Sequence, residues 1–367
     1  MKGPVLRIGL IGPLPPPSGG MANQTQQLAE LLTTGGAAVT LVPVNAPYAP
    51  AWIGGVPLVR AVFRLMPYLS TLWRAAGRSD VFHIMANSGW SWHLFAAPAV
   101  WVARSRGVAV VVNYRGGEAA EFLRGSGRMV RFTLHRACAL LVPSGFLQEV
   151  FFRHQMQADI LPNIVDLSRF HPRDDANAAG HGDAPHLLVA RNLEVLYDNE
   201  TAINAFKLVR EKFPRARLSI AGSGPEALRL RQRVRALGLD GAVRFCGRLD
   251  RDSMAALYRS ADLVLNPSLA DNMPNSLLEA WASGVPVVST NVGGIPYLAQ
   301  DGVTASLVPP ADPDAMAQAS LFLLTNDAVW RTRALAGLEE SKRYTWAKVQ
   351  PVLMDAYRRA VQRSKHG

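Results

Sequence analysis

Cysteine is scarce: the chain of 367 residues has two, Cys138 and Cys246, far apart in sequence. That excludes a disulfide-stapled scaffold and a cysteine-rich zinc module, and it suits a reducing compartment. A continuous apolar run of the ~20 residues needed to cross a membrane is also missing. Residues 32–59 and 81–103 contain no Asp, Glu, Lys or Arg, but polar, Gly and Pro residues interrupt both, among them Asn87, Ser88, Gly89, His93 and Pro98. No transmembrane helix is expected. Nor is a secretory leader, since Lys2 stands alone and Arg7 falls inside the first apolar run. Signatures of helix-turn-helix, zinc-finger and RNA-binding modules are lacking, so no nucleic-acid partner is expected.

The composition itself is that of packed cores, with 49% hydrophobic and 18% charged residues. The length exceeds twice the ~150-residue domain norm, which predicts two domains sharing a cleft. The net charge of +11 is uneven: residues 1–170 carry 15 Lys/Arg against 7 Asp/Glu, and residues 171–367 carry 24 against 21. A basic first half fits phosphorylated substrates or an anionic membrane face.

Short β-branched runs alternate with helical patterns along both halves. Val5–Ile11, Val39–Val44, Val81–Ile84, Val108–Asn113 and Leu140–Pro143 read as buried strands. After a polar, Ala/Gly-rich stretch at 171–185, read as a linker, come His186–Ala190, Arg217–Ala221, Val243–Cys246, Asp262–Asn266 and Val285–Ser289, with helices starting near Asn199, Pro225, Asp252 and Asn275. Such alternation predicts parallel sheets covered on both faces, hence an α/β fold of two doubly wound, Rossmann-like domains. In these sheets ligands sit beyond the carboxyl ends of the strands.

The segment from Pro267 to Val288 carries the most chemistry. Asp271 stands at a strand exit. The helix that follows offers unpaired amides near Asn275 and Ser276, an anion site. Glu279 lies one turn further, able to accept hydrogen bonds from a diol. Taken alone, Asp271 would read as a helix cap and Glu279 as a solvated charge. Arg191 ends the strand Leu188-Val189-Ala190 and, taken alone, would read as an exposed arginine at a strand end. In the first half, Pro15-Pro16-Pro17-Ser18-Gly19-Gly20-Met21 follows a strand, and its glycines would let backbone approach a phosphate.

The Asp271…Glu279 spacing resembles the acid-x7-acid signature of the family-4 retaining glycosyltransferases, glycosyl transferases group 1. Pro162-Asn163-Ile164-Val165-Asp166, Ala221-Gly222-Ser223-Gly224-Pro225, Phe245-Cys246-Gly247-Arg248-Leu249, Ser283-Gly284-Val285-Pro286 and Val292-Gly293-Gly294-Ile295-Pro296 extend the likeness. The resemblance implies the GT-B fold, two Rossmann-like domains facing across a cleft. It suggests an acceptor domain over 1–170, a linker over 171–185 and a nucleotide-sugar domain over 186–345, with a C-terminal helix over about 346–363 returning to the first domain. By the same resemblance, Glu279 holds the ribose and Asp271 is the catalytic-side acid at the donor sugar. Met273, Asn275, Ser276 and Arg191 lie at the diphosphate, Arg248 and Leu249 beside the base, and Gly19 and Gly20 reach the donor or acceptor.

Three positions depart from the pattern. No lysine follows Arg191 between Asn192 and Asn199, Arg115 or Glu118 stands where a histidine is usual, and Tyr297 replaces an acid. No Asp-x-Asp metal motif is read near a strand end, so no divalent cation is required, and no cofactor beyond the nucleotide-diphosphate sugar is expected. The expected function is transfer of a hexosyl group, with retention, onto a glycan or polyprenyl-linked glycan in surface polysaccharide biosynthesis. A sugar-nucleotide epimerase of the same fold and a non-catalytic nucleotide-sugar-binding relative are the alternatives. The expected location is cytoplasmic and peripheral to the inner face of the cell membrane. Residues 52–78 motivate the membrane expectation: on an ideal helix Arg60, Arg64, Arg74 and Arg78 share one sector, opposite Val59, Val62, Phe63, Met66, Leu69 and Trp73. Pro57 and Pro67 predict two short helices there. His83, His93, Trp90 and Trp92 read as packing residues.

Overall fold

In the computed structural model the described residues are 5–16, 19–45, 57–173 and 182–366, with side chains from 57–64 and 365–366 left aside. The chain divides into two compact units, Met1–Pro162 with Val349–Gly367, and Asn163–Lys348.

In the first unit, strands β1 (Arg7–Gly12), β2 (Ala38–Pro43), β3 (Val81–Ala86), β4 (Ala109–Tyr114), β5 (Ala139–Val142) and β6 (Asp159–Ile160) form one parallel sheet in the order β2-β1-β3-β4-β5-β6. Strands β3 and β4 are buried along their whole length, which explains why they read as continuous apolar runs rather than as an alternation. Helix α1 (Gly20–Thr34) follows β1. The helices α2 (Pro57–Ala76), α3 (Ala97–Ser105), α4 (Ala119–Leu134) and α5 (Gly145–Arg153) follow in order. Their inward residues, such as Leu72, Val100, Leu123 and Phe151, share one core with Phe82, Ile84, Val110 and Val112. The alternate positions face the other way: His83 meets Tyr357 of a long C-terminal helix, which would be the thirteenth in chain order.

In the second unit, strands β7 (His186–Ala190), β8 (Arg217–Ala221), β9 (Val243–Gly247), β10 (Leu263–Asn266), β11 (Val287–Thr290) and β12 (Ser306–Val308) are likewise parallel, in the order β12-β11-β10-β7-β8-β9. The strand order reverses between β7 and β10, the position at which doubly wound sheets bind ligands. Helices α6 (Asn199–Lys212), α7 (Ala227–Ala236), α8 (Arg251–Arg259), α9 (Asn275–Ala282), α10 (Ile295–Leu298), α11 (Pro313–Thr325) and α12 (Asp327–Ser341) flank the sheet, and α13 (Trp346–His366) closes the chain.

Three expectations are corrected. The chain passes between units at Pro162, not at 170, because residues 163–172 are tied to the second unit. There Asn163 Nδ2 donates to the Met273 carbonyl at 2.8 Å, Val165 N to the Tyr344 carbonyl at 2.9 Å, and the Phe170 ring meets Tyr258 edge-on at 5.8 Å. Residues 171–173 and 182–185 of the expected linker therefore belong to the second unit rather than joining the two, and 174–181 lie outside the described residues. Residues 57–76 form one helix rather than two. Pro57 occupies its first position, where no N–H is needed, and Pro67 lies on its exposed side, where water can satisfy the carbonyl left without a donor. Along α2, Tyr68, Leu72, Ala75 and Ala76 are buried, whereas Met66 and Trp73 are exposed. The Arg60 and Arg64 side chains lie outside the described residues.

Candidate functional site

The loops leaving β7 and β10 meet at the point of strand reversal. Arg191, immediately after β7, is almost fully buried, and its Nε and Nη2 donate to Ser268 Oγ at 3.1 and 2.9 Å. Nη2 also pairs with Asp271 Oδ2. The guanidinium carbon stacks 4.3 Å from the Tyr197 ring centre. Ser268 passes the chain of bonds on, donating to Asn266 Oδ1 at 3.0 Å, and Asn266 Nδ2 donates to Ser289 Oγ at 2.9 Å. The arginine is thus aimed by Ser268 just after β10, backed by Asn266 on β10 and Ser289 on β11. Burial lowers its pKa, against the pull of Tyr197, Tyr258 and Glu279, so this cation is poorly solvated and suits an anionic ligand.

Close backbone contacts hold both loops. A Cβ on Gly222 would lie 2.0 Å from the Arg191 carbonyl oxygen, and one on Gly224 would lie 2.2 Å from that of Leu193. Gly293, at φ +53°, and Gly294 press in the same way on the second loop; a Cβ on Gly294 would sit 1.9 Å from the Asn272 carbonyl oxygen. Gly294 N donates to the Asp271 carbonyl at 2.8 Å. Asn163 clamps the loop's far end through the Met273 carbonyl and Asn275 Oδ1, each at 2.8 Å.

Helix α9 then begins with no side-chain cap and no acid in its first turn, leaving its positive end uncompensated. The buried Ser276 Oγ has no hydrogen-bond partner among the described residues. One turn on, burial raises the Glu279 carboxyl to about 7, while the Tyr258 hydroxyl, Arg251 and Arg191 pull it down. Arg191 and Glu279 sense each other's charge. Two strands away, Arg248 Nε donates to Ser223 Oγ at 2.6 Å, whose backbone carbonyl receives Leu193 N at 3.2 Å. Leu249 packs half-buried beside Arg248. Arg191, Arg248, Leu249, Asp271, Met273, Asn275, Ser276 and Glu279 are therefore all on the carboxyl-end side of one sheet. Sequence reasoning missed Tyr197, Ser268 and Tyr258. Tyr197 stands inside the run noted for its missing lysine, and only its stacking on Arg191 gives it a role.

The first unit holds the other four candidates. Gly19 is the extended N-cap of α1 and Gly20 its first residue; a Cβ on either would meet nothing within 4 Å. Pro17 and Ser18 lie outside the described residues. Arg115 is not poised at a free surface: its Nε donates to Asn113 Oδ1 at 2.8 Å and its Nη1 to Gln24 Oε1 at 3.3 Å, and burial lowers its pKa to about 9. Asn113 Nδ2 donates to His83 Nε2 at 3.0 Å, and His83 Nδ1 meets the Tyr357 hydroxyl at 2.8 Å. Glu118 is exposed and precedes α4 without capping it. A cavity of about 260 Å³ lies at the ends of β1 and β3, lined by Ile11, Met21, Met85, Asn87 and Phe95 among others.

Contrary to the expectation, Asp-x-Asp spacings do stand near strand ends: Asp312-Pro313-Asp314 beyond β12, where Asp312 caps α11 through Ala315 N at 2.8 Å, and Asp250-Arg251-Asp252 three residues beyond β9. The second pair is otherwise engaged: Asp250 caps α8 through Ser253 N at 2.7 Å, and Asp252 pairs with Arg169 at 3.2 Å. Among the described residues no group of three or more His, Cys, Asp or Glu side chains could hold a metal ion.

A family model described as "Glycosyl transferases group 1" matches residues 184–326. Most of the second unit is thus similar to a glycosyl transferases group 1 domain. Phosphatidyl-myo-inositol mannosyltransferase of Mycobacterium leprae is 35% identical over 156 residues, covering 42% of this chain and 41% of that protein. D-inositol 3-phosphate glycosyltransferase of Nocardioides sp. is 34% identical over 218 residues, 53% of this chain and 47% of that protein. The chain thus spans about half the length of these curated relatives. In fold it is similar to sucrose-phosphate synthase from Thermosynechococcus elongatus, with a TM-score of 0.77 at 20% identity, covering 96% of this chain and 98% of that one. Anabaena HepE, solved in complex with UDP and glucose, gives 0.75 at 17%, with 95% and 98% covered. The fold is GT-B. The group 1 domain includes every donor-side candidate from Arg191 to Glu279.

Proposed function

We propose that this protein is a glycosyltransferase that takes a hexosyl group from a nucleotide-diphosphate sugar held by the second unit. The observation that carries the reading is the meeting of Arg191, Asp271 and the open N-terminus of α9 at the strand reversal, with Glu279 one helical turn away. Charge accumulates on the diphosphate as the glycosidic bond breaks, so a preaimed guanidinium and the first amides of α9 stabilise the transition state more than the ground state. Glu279 accepts hydrogen bonds from the ribose diol. Asp271 orients Arg191 and presents its carboxylate to the donor sugar. Arg248 and Leu249 flank the base. Gly19 and Gly20 approach the phosphates or the acceptor, with Arg115 and Glu118 on the acceptor side, and no metal takes part. HepE, a solved structure of the same fold, binds UDP and glucose, which supports a nucleotide sugar as the donor. The acceptor is a glycan or lipid-linked glycan, the anomeric configuration is retained, and the enzyme works in surface polysaccharide assembly at the inner membrane face.

A panel of UDP- and GDP-sugars with product analysis tests the reading. Glycosyl transfer or donor hydrolysis is expected. An isomerised donor would mark an epimerase, and binding without turnover a non-catalytic relative. Asp271→Ala should lower turnover at least 100-fold, and unchanged turnover and donor binding in both Asp271→Ala and Glu279→Ala would remove the site assignment.

A further inference from the structure

In the first unit the loop leaving β3, residues 87–91, carries a side chain that packing does not explain. Trp90 is 78% exposed, more than any other large apolar side chain among the described residues, whereas Trp92 is 1% exposed. The sequence reads both as packing residues, and only Trp92 is one. A single exposed tryptophan is ordinary surface, but Trp90 heads a row of rings: it meets His93 edge-on at 6.2 Å, and His93 meets Phe122 of α4 at 5.7 Å. Directly after the loop the chain enters one π-helical turn, Trp92–Ala96, ahead of α3. Such turns are rare and are frequent at functional sites.

The loop is held in place. Gly89 takes φ +66°, which a side chain would disfavour, and Trp92 N donates to the Gly89 carbonyl at 3.1 Å. Ser88 Oγ shares a hydrogen bond of 2.7 Å with the Tyr114 hydroxyl at the end of β4, and Ser88 N donates to Asn87 Oδ1 at 2.8 Å. A Cβ on Gly116 would stand 2.8 Å from both Ser88 N and Asn87 Oδ1, so the chain after β4 presses on the loop. Folding therefore presents a large ring to water on a fixed support, the arrangement that spares a binding site the cost of ordering. The same loop walls the cavity at the ends of β1 and β3, because Asn87 and Ser91, on either side of Trp90 in sequence, line it. Between β1 and β3 the first sheet reverses its strand order, the place where doubly wound sheets take a ligand.

A rigid ring beside an amide and a hydroxyl fits a pyranose. One face of such a sugar is a plane of C–H groups that lies on an aromatic ring, and its hydroxyls stand around the rim, where they need donors and acceptors. A wholly apolar ligand would leave Asn87 and Ser91 unpaired, and a phosphate would find no lysine or arginine among the residues lining the cavity. We propose that residues 87–91 form a sugar subsite of the first unit, in which Trp90 stacks on the apolar face of a pyranose of the acceptor and Asn87 and Ser91 bond its hydroxyls. Trp90 is then a specificity-determining residue: it favours sugars with an unbroken C–H face, and an axial hydroxyl on that face costs affinity. This rests on the reading of the protein as a glycosyltransferase, and it narrows the acceptor to a glycan that presents a pyranose.

Fluorine NMR of the full chain labelled with fluorotryptophan tests the inference. The Trp90 resonance is the one missing from Trp90→Phe. With UDP present, the protein is titrated with the methyl glycosides of glucose, galactose, mannose and N-acetylglucosamine, each to about 100 mM, a range that covers the roughly millimolar affinity of a single ring. Saturable movement of the Trp90 signal by at least one of the four is expected. Trp90→Ala should weaken that sugar's affinity, read from its own proton signals, at least about fivefold, and Trp90→Phe, which keeps a ring, should recover most of the loss. Both variants are compared at matched thermal transition and UDP affinity; should Trp90→Ala fail to fold, the titration of the parent chain decides alone. A Trp90 signal that none of the four sugars moves overturns the inference, as does undiminished sugar affinity in Trp90→Ala. Movement by hexanol and not by the sugars would assign the ring to an apolar chain, and it overturns the inference too. Because UDP affinity is measured on the same samples, UDP binding without a sugar response leaves the transferase reading standing and removes the subsite. A sugar response without UDP binding does the reverse.

Discussion

Arg191 is a guanidinium taken out of water and given one carboxylate, one hydroxyl and one aromatic ring. Asp271 and Glu279 are marked in the sequence by their spacing, and Arg191 only through the family resemblance, since an arginine after a strand reads alone as an exposed charge. Tyr197, Ser268 and Tyr258 are not marked at all, since a tyrosine on a short turn or a serine after a strand gains its part only when folding brings it to Arg191 or Glu279. Glu279 gives a sharp prediction. Its carboxyl titrates near 7 in the protein against an ordinary 4.5, so in the ligand-free chain its contribution to stability is present below 4.5 and is lost as pH rises through 7. Hydrogen-bond acceptance from a diol needs the carboxylate. UDP affinity should therefore rise with pH up to about 7 and level off above, by as much as about tenfold per unit on the acid side. Calorimetric titration across pH 6 to 8, a range bracketing the shifted value at roughly one unit each way, should show this slope in the parent and a flat line in Glu279→Gln. Parallel lines would remove Glu279 from the ribose.

Among elements, the two loops of the site are shaped by what presses on them. Gly294→Ala places a methyl 1.9 Å from the Asn272 carbonyl, so the 271–275 loop must move, which should weaken UDP binding and lower stability by about 1–3 kcal/mol. Gly19→Ala meets open space and should leave stability within about 0.5 kcal/mol. Thermal melts with and without UDP distinguish the two. The C-terminal helix offers a second prediction. If Asn113 Nδ2 donates to His83 Nε2, the imidazole proton is on Nδ1 and points at Tyr357, and burial lowers the pKa of His83 to about 3, keeping the ring neutral. Tyr357→Phe leaves that buried N–H unpaired and should lower unfolding free energy by about 1–3 kcal/mol, measured by chemical denaturation. An unchanged denaturation midpoint would contradict the bond. Strands and helices of the first five turns of alternation were legible because buried parallel strands are continuous apolar runs. The single helix over Pro67 was not, because it depends on which side meets the sheet.

Across the whole molecule, each unit is a doubly wound sheet with its own point of strand reversal. Two such sheets follow from alternation alone, whereas the passage at Pro162 rests on side-chain ties from Asn163 and Phe170 that no composition shift announces. The polar stretch at 171–185 drew the boundary too late for that reason. Charge follows the same division: the basic excess sits in the first half, and the proposed donor site sits in the near-balanced second. The two halves therefore ask different things of a mutation. Changes in the second should alter nucleotide binding, and changes at Trp90 of the first should leave it untouched.

The most direct test is a crystal structure of the protein with UDP or GDP. The account predicts the diphosphate against Arg191 and the first amides of α9, with the ribose hydroxyls on Glu279. A nucleotide bound elsewhere, with both side chains out of its reach, would contradict it.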